Sequence, residues 1–469
     1  MKSTTEFMED LPTILTPVYI TKQPNEAIPL SYEGTIELTQ KIESQEVQDS
    51  EIVESGTCKL EFNWFPYPSI HFSFLSSTSA WPFDPTKEFK LKLCSGSNIN
   101  YLDVGVANIR SPNGVSGNQL TGRVKGSVSR GTEQNLSYLI FHVVNLQKLH
   151  GCPVKIGKTK IRKSRISLNT EDWEITIDQS EIISELEQNL NSKGGFAITH
   201  VGRLKRLDSN LFTASEAEEI LDALSDFLSF LRGFQIPIVF LSGYDKDSRK
   251  TWEKWTQPVG DPWQNINSWL PANRKIELAE LFQSFMNKWR NEKKELKLNI
   301  YWYARIGITP SVETAIILTQ IALEKIAYAE GFTKIASVNI GSLLDKYKIP
   351  KSFPSQYQTQ EIGALANSLQ ATLEVFKSPF VPSLEALEKA ASFHKWEDGP
   401  HALIKLRNDI AHARQDYTDL EPQVFFDVCA LGLWYLELIL LATLGYQGSY
   451  NNRLNNNIQG GQTETVPWL

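Results

Sequence analysis

Hydrophobic and polar residues alternate along the chain between about residues 56 and 180. Leu60, Phe62 and Trp64, for example, are separated by single polar or charged residues. A period of two predicts strands with one buried face, and clusters of Gly, Asn and Ser separate the segments. This pattern predicts a β-sandwich or a β-barrel. The preceding residues, 1–55, are polar and acidic, and their pattern leaves partly ordered strands and a loose arm both open.

Helical signals begin at Thr213, which forms a capping box with Glu216, and Gly233 suits the end of that helix. After Pro271 the pattern becomes helical and stays so to about residue 444. The predicted helices there are 276–292, a stretch ending at 304, 311–328, a short segment at 343–347, 362–376, 384–393, 400–415 and 422–444. We therefore expect an α+β multidomain protein. Its β-rich N-terminal region, sandwich- or barrel-like with a helix, precedes an all-α bundle.

At 469 residues the chain is too long for one simple core, and two or three domains are expected. We place the β-rich region at 1–295, with a further boundary near residue 206, and the helical domain at 296–460. The tail after Arg453 is rich in Asn, Gln and Gly, and residues 461–469 are predicted to be disordered.

Composition limits the possible functions. A net charge of −7 argues against broad coating of nucleic acid, which needs a basic surface, although one local basic site stays possible. The four cysteines are far apart and form no CxxC pair, which argues against a disulfide framework or a zinc site.

Targeting signals are also missing from the sequence. The N-terminus lacks an apolar signal core, and the most apolar stretch, 430–444, is short for a membrane span and contains Glu437. A cytoplasmic protein without a membrane partner is the expectation.

The strongest functional signal is the segment 405–412, in which Arg407 and His412 are separated by four residues. An arginine holds a phosphate as a permanently charged fork, and a histidine can move a proton near neutral pH. The spacing alone is weak, because roughly 0.2 such pairs are expected by chance. The alternative is an exposed arginine and a partly buried histidine on an ordinary amphipathic helix.

The surrounding residues predict that this segment is helical. Leu403, Leu406 and Ile410 recur at helical spacing, and Pro400 suits a helix start. Asn408 and His412 are four residues apart and share a face, whereas Arg407 is rotated from His412 by roughly 140°. The Arg407 side chain must therefore reach around the helix, or it must contact a phosphate that another subunit approaches as well.

The helical half resembles the HEPN superfamily, especially the ApeA-like HEPN proteins linked to phage defence, over about residues 296–460. The segment from Arg407 to His412 is similar to the family's Arg-x4-His signature, with Asn408 as the polar residue that often follows the arginine. The flanking segments that resemble the family's helices are 299–303, 320–326 and 440–446.

This resemblance implies a metal-independent endoribonuclease without a cofactor, acting as a homodimer or a higher homo-oligomer. His412 would be the general acid or base, Arg407 would stabilise the phosphorane, and Asn408 would orient the groups. The resemblance also implies a role in anti-phage defence or toxin-like growth arrest (abortive infection), with RNA as substrate and a phage-derived or small-molecule trigger at the N-terminal region.

Two further groups of charged residues and one histidine have a structural as well as a functional interpretation. Lys158, Lys160 and Arg162 share one face of a predicted strand and form a possible RNA contact, or else a solvated or edge strand protected by charge. His200 lies in an apolar strand and is predicted to be a satisfied core histidine. The group His394, Glu397, Asp398 and His401 fits capping and surface charge better than a metal site.

Two rival hypotheses remain. The helical domain could be a non-catalytic HEPN module that binds a nucleotide, RNA or a protein. Alternatively, the N-terminal region could hold a transferase or hydrolase site, although no nucleophile–base pair is evident there.

Overall fold

The computed structural model describes most of the chain and divides it into two compact units. The described residues are 11–30, 35–44, 47–65, 68–76, 89–95, 98–110, 119–157, 160–257, 260–266, 268–271, 278–351, 385–412, 420–454 and 463–469. The first unit, which we call the β-rich unit, contains Met1–Asp222 and Ile236–Trp263. The second, the helical unit, contains Ala223–Gln235 and Gln264–Leu469.

The β-rich unit begins with a closed barrel. Its strands are β1 (Ile28–Leu30), β2 (Thr35–Ser44), β3 (Val47–Asn63), β4 (Ser69–Ser76), β5 (Phe89–Ser95), β6 (Asn98–Arg110) and β7 (Gln119–Val124). Six of them pair antiparallel in the order β3-β2-β5-β6-β7-β4, and β4 pairs back to β3; β1 adds to β3 from outside. Leu60, Phe62 and Trp64 are buried at 3, 0 and 1% exposure, which confirms the predicted alternation.

An eight-stranded antiparallel sheet follows. Its strands are β8 (Val128–Gly131), β9 (Tyr138–Val144), β10 (Cys152–Ile156), β11 (Lys160–Asn169), β12 (Trp173–Gln179), β13 (Ile198–Arg206), β14 (Ile238–Tyr244) and β15 (Lys250–Trp255). Their order is β10-β11-β12-β13-β9-β14-β15-β8. Helix α1 (Ile183–Lys193) connects β12 to β13. One hydrophobic cluster joins barrel residues such as Phe62 to Ile198 and Phe240 of this sheet.

The segment 11–27, which we call the arm, is held by the eight-stranded sheet. Leu15 N donates to Asp178 Oδ2 at 2.8 Å, and the amides of Val18 and Tyr19 donate to His142 Nε2 at 3.1 and 3.0 Å. Backbone donors that meet buried side-chain acceptors fix this stretch without regular secondary structure. The N-terminal region thus contains an anchored arm followed by strands.

Helix α2 (Ala214–Arg232) starts at the predicted capping box. Thr213 N donates to Glu216 Oε2 at 2.7 Å, and Glu216 N donates back to Thr213 Oγ1 at 3.3 Å. The helix ends before Gly233, whose φ of 82° suits a glycine.

The remaining elements belong to the helical unit. They are α3 (Leu278–Ile308), α4 (Val312–Ala329), α5 (Ala336–Lys346), α6 (Glu385–His394), α7 (Gly399–Ala411), α8 (Pro422–Thr443), β16 (Ser449–Asn451) and β17 (Thr463–Thr465). The backbone of α3 leaves helical geometry at Glu292 (φ −133°, ψ 36°), so the element consists of two helices joined at a kink, and the predicted end of the first helix at about residue 292 is confirmed. Helix α8 alone among the described helices is long and apolar enough to cross a membrane, but 89% of that window is buried, as in a core helix.

The α+β architecture agrees with the sequence, while several boundaries differ. The chain passes between the two units after Asp222, Gln235 and Trp263, and position 295 lies within α3. Helix α7 ends at Ala411, before the predicted residue 415. The tail predicted to be disordered is ordered from residue 463: β17 pairs with β16, and Trp468 Nε1 donates to the Tyr446 carbonyl at 2.8 Å. The polar residues around Trp468 led to the prediction of disorder, although the Trp468 indole fixes the end of the chain.

Candidate functional site

Helix α7 carries the Arg-x4-His segment, and its start is defined by capping. Asp398 accepts a hydrogen bond from His401 N at 2.9 Å, and Pro400 occupies the first turn. His401 Nδ1 in turn accepts from Glu397 N at 3.1 Å. These groups therefore act as caps, as predicted. Among the described residues, no set of three His, Cys, Asp or Glu side chains is placed to hold a metal.

The first half of α7 is buried against α8. A Cβ on Gly399 would meet the Tyr435 hydroxyl, and a Cβ on Gly432 would lie 3.4 Å from a Leu403 methyl group. Leu403 and Leu406 are fully buried. Close approach at the two glycines fixes the position of α7 on its neighbour.

The second half of α7 emerges toward solvent. Arg407, Asn408 and Ile410 are half-buried, and His412 is exposed at the end of the helix. His412 N closes the last turn by donating to the Asn408 carbonyl at 3.0 Å. The backbone therefore ends the helix with the imidazole outside the core, and Ile410 is only partly covered, although the sequence predicted it to be part of the buried stripe.

Arg407 and Asn408 form a bonded pair. Arg407 Nη1 donates to Asn408 Oδ1 at 2.9 Å, so the amide orients the guanidinium. Arg407 Nε is buried and has no hydrogen-bond partner among the described residues. A guanidinium has five N–H donors, so this arrangement leaves donors for an oxyanion.

The three predicted residues thus lie at one end of one helix. Arg407 and His412 are separated by about 7.5 Å along the axis and by roughly 140° around it. Helix geometry alone therefore does not bring the guanidinium and the imidazole onto one face.

Of the basic residues proposed as an RNA contact, Lys160 and Arg162 belong to the β-rich unit. Lys160 is exposed on β11 of the β-rich unit, and Lys158 lies outside the described residues. Arg162 donates to the carbonyls of Ser180 and Glu181 at 2.8 and 2.9 Å. That guanidinium therefore holds the turn before α1, whatever else it contacts.

Sequence reasoning missed a buried ionic group in the helical unit. Glu437, fully buried on α8, accepts from Arg453 Nε at 2.8 Å and from the Tyr303 hydroxyl at 2.6 Å. Burial raises the pKa of Tyr303 well above its usual value, and the carboxylate raises it further. The only sequence signal is the lone glutamate in an apolar helix, which by itself indicates no more than an interruption of that helix.

It also missed the buried polar groups of the β-rich unit. Arg165 donates to both carboxylate oxygens of Asp178, at 2.8 and 2.6 Å. His200 is a core histidine, as predicted, but it is not satisfied: its Nε2 has no partner among the described residues. Single buried charges and imidazoles carry no periodic signal, so only their spatial neighbours reveal them.

Comparisons with known proteins match both units. Residues 131–266 match the model of the YopA central domain, and residues 289–464 match that of the YopA C-terminal domain. The SPbeta prophage-derived uncharacterized protein YopA of Bacillus subtilis (strain 168) is 31% identical over 360 residues, which cover 76% of this chain and 77% of that protein. No solved structure matches the chain.

Proposed function

The chain belongs to the YopA family, and from its own residues we propose that it is a metal-independent endoribonuclease with Arg407, Asn408 and His412 at its site. The observation that carries this proposal is the exposed end of α7, where a guanidinium paired with an amide lies on the same helix end as an exposed imidazole. The proposal includes the HEPN character of the helical unit and its action in the cytoplasm.

The proposed reaction needs few protein groups. The ribose 2′ oxygen bonds to phosphorus while the bond from phosphorus to the 5′ oxygen breaks. A base takes the 2′-hydroxyl proton, and an acid gives a proton to the departing 5′ oxygen. Arg407 stabilises the phosphorane charge, and His412 performs one of the proton transfers. The products end in a 2′,3′-cyclic phosphate and a 5′-hydroxyl.

A second copy of the chain completes the site in this proposal. One helix end offers one imidazole, whereas the reaction uses both an acid and a base. The helical unit also exposes large apolar side chains, with Tyr328 at 70%, Ile335 at 71% and Phe393 at 80% exposure. Exposed apolar side chains of this size are available to an interface, and association of identical chains is expected to give a symmetric homodimer or a higher oligomer.

The test incubates full-length protein with single-stranded RNA in EDTA and identifies the new ends. We expect cyclic-phosphate ends, and a loss of at least about 100-fold in rate for Arg407→Ala and His412→Ala. Asn408→Ala should lose less, because it orients the guanidinium without contacting the phosphate. Lys405→Ala, an exposed charge on the same helix, and His150→Ala, an exposed histidine of the other unit, are the matched controls.

Three outcomes would count against this reaction. Intact RNA with the wild-type protein, cleavage only with added divalent metal, or equal rates for the His412→Ala and Lys405→Ala variants would each contradict it. RNA that is bound but never cut, with binding lost in Arg407→Ala, would indicate the non-catalytic module instead.

The biological setting is also a proposal. The B. subtilis relative is described as prophage-derived, which supports a role in conflict between phage and host. An RNA-cleaving protein in that setting acts in anti-phage defence or arrests growth as a toxin does. Induced expression in bacteria should slow growth, and His412→Ala should abolish the effect at equal protein levels.

A further inference from the structure

The β-rich unit contains a cavity of about 480 Å³ between the arm, strands β12 and β13, and the start of α1. Most of its lining is apolar, including Ile14, Pro17, Ile20, Ile182 and Val201. A pocket of this size and character is in the range that encloses a small organic molecule.

Two buried side chains in its wall, Gln179 and His200, have polar atoms without partners. They face each other across β12 and β13 as a register pair, so both project from the same side of the sheet. Gln179 Nε2 donates to the Leu149 carbonyl, which leaves Oε1 without a partner among the described residues; His200 Nε2 has none either. Both residues are at most 1% exposed.

The local hydrogen bonds accommodate a hydrogen on His200 Nδ1. When the Thr199 hydroxyl donates to the Val143 carbonyl at 3.3 Å, its oxygen accepts from His200 Nδ1 at 3.1 Å. In this tautomer, on which the proposal below depends, Nε2 is an acceptor. Burial lowers the pKa of His200 to about 3, so the ring is neutral near neutral pH.

The wall of the cavity thus offers two unmet acceptors and no unmet donor among its described buried side chains. An unsatisfied buried acceptor costs a protein stability, which is recovered when a ligand supplies an N–H or O–H group. The lining also includes exposed Glu181 and Glu185, against one exposed lysine, Lys22. This charge favours a neutral or cationic ligand over an anion.

We propose that the cavity binds a small molecule with a compact aromatic body and adjacent N–H donors on one edge, as in an amidine or an amino-substituted heterocycle. Its donors bond to Gln179 Oε1 and His200 Nε2, and its body packs against the apolar residues of the arm. Cross-strand neighbours place the two acceptors close enough for one edge to reach both. This site lies wholly in the β-rich unit and does not depend on the RNA-cleavage proposal.

Isothermal titration of the full-length protein with paired probes tests the donor requirement. Benzamidine has two donors on one edge, whereas benzoate has the same outline, two acceptors and the opposite charge. Guanosine and inosine form a second pair, because inosine lacks the exocyclic amine. We expect binding of benzamidine or guanosine, binding weaker by about tenfold or more for inosine than for guanosine, and none of benzoate.

Two variants locate the binding at this cavity. His200→Phe keeps a buried ring and removes the acceptor, and it should weaken binding about tenfold or more. Ile20→Trp fills the cavity from a side chain that is 57% exposed and so leaves the fold intact if His200→Phe does not. His150→Ala changes an exposed side chain that does not line the cavity, and this variant should bind as the wild type does.

The proposal is overturned if neither benzamidine nor guanosine binds at millimolar concentration. It is equally overturned if benzoate binds as well as benzamidine, or if both His200→Phe and Ile20→Trp leave binding unchanged. This test measures binding alone, so a negative result would leave the ribonuclease proposal unaffected. Likewise, a failed ribonuclease test would leave the proposed binding site unaffected.

Discussion

Acid should destabilise the β-rich unit through its two buried histidines. Burial lowers the pKa of His142 to about 4 and that of His200 to about 3, from an ordinary value of 6.5. As pH falls, the unfolded chain therefore takes up protons before the folded one. The stabilisation is complete above about pH 6.5 and is lost progressively as pH falls toward the folded-state values.

The magnitude follows from those values. At about pH 4.5 an unfolded histidine is almost fully protonated, while both folded histidines are mostly neutral. Linkage then gives a loss of about 2.5 kcal/mol for each group relative to neutral pH, or about 5 kcal/mol for the pair. His142 Nε2 also accepts hydrogen bonds from the amides of Val18 and Tyr19. Protonation of that nitrogen therefore breaks the attachment of the arm.

Hydrogen exchange measured by mass spectrometry on peptides from β9 and β13 reports this local stability. The free energy of opening should fall between about pH 7 and about pH 4.5, and His200→Phe should remove about half of the histidine contribution. His150→Ala removes an exposed ring and should leave the slope unchanged. The same pH dependence in wild-type and His200→Phe protein would refute the reasoning.

Three further substitutions test the packing. Asp178→Ala strands the Arg165 guanidinium and should cost about 3–5 kcal/mol of unfolding free energy, with faster tryptic cleavage in the arm; unchanged cleavage would contradict the anchoring. Gly399→Ala forces a methyl group against the Tyr435 hydroxyl and should cost about 1–3 kcal/mol, measured as a lower melting temperature. Thr213→Ala removes the cap of α2 and should cost about 1 kcal/mol, whereas a neutral effect in urea unfolding would argue against the capping box.

The fold was predictable wherever one face of a strand or helix is buried and the other face is exposed to solvent. Phe62 and its neighbours alternate because a barrel has an inner and an outer face, and the sequence shows that period directly. Closure of the barrel was not predictable, because it depends on the long-range pairings of β2 with β5 and of β4 with β7. The arm was equally hidden, since its order comes from buried acceptors such as His142 and not from its own pattern.

The candidate site was predictable for a different reason. Arg407, Asn408 and His412 lie within one helix, so their relative positions follow from helix geometry alone. The cavity of the β-rich unit is lined by Gln179, His200 and residues of the arm, which is more than 150 residues away in sequence. No local spacing in the sequence could therefore predict it. Local chemistry can be read from sequence, whereas a cavity is a property of tertiary packing.

Among the three histidines of the helical unit, the surroundings of each ring favour His412 for the proton transfer in the proposed RNA cleavage. His401 Nδ1 is occupied by the Glu397 amide, and His394 stacks on the Trp396 ring at 5.4 Å. His412 is exposed at a helix end, and its ring makes no hydrogen bond to any described residue. A group that shuttles a proton to a large substrate must be reachable and uncommitted, and His412 meets both conditions. A His401→Ala variant should therefore have a lower melting temperature and keep its rate of RNA cleavage, whereas His412→Ala should keep its melting temperature and lose that rate. If a stably folded His401→Ala protein lost RNA cleavage, the site would have to be placed at the start of α7.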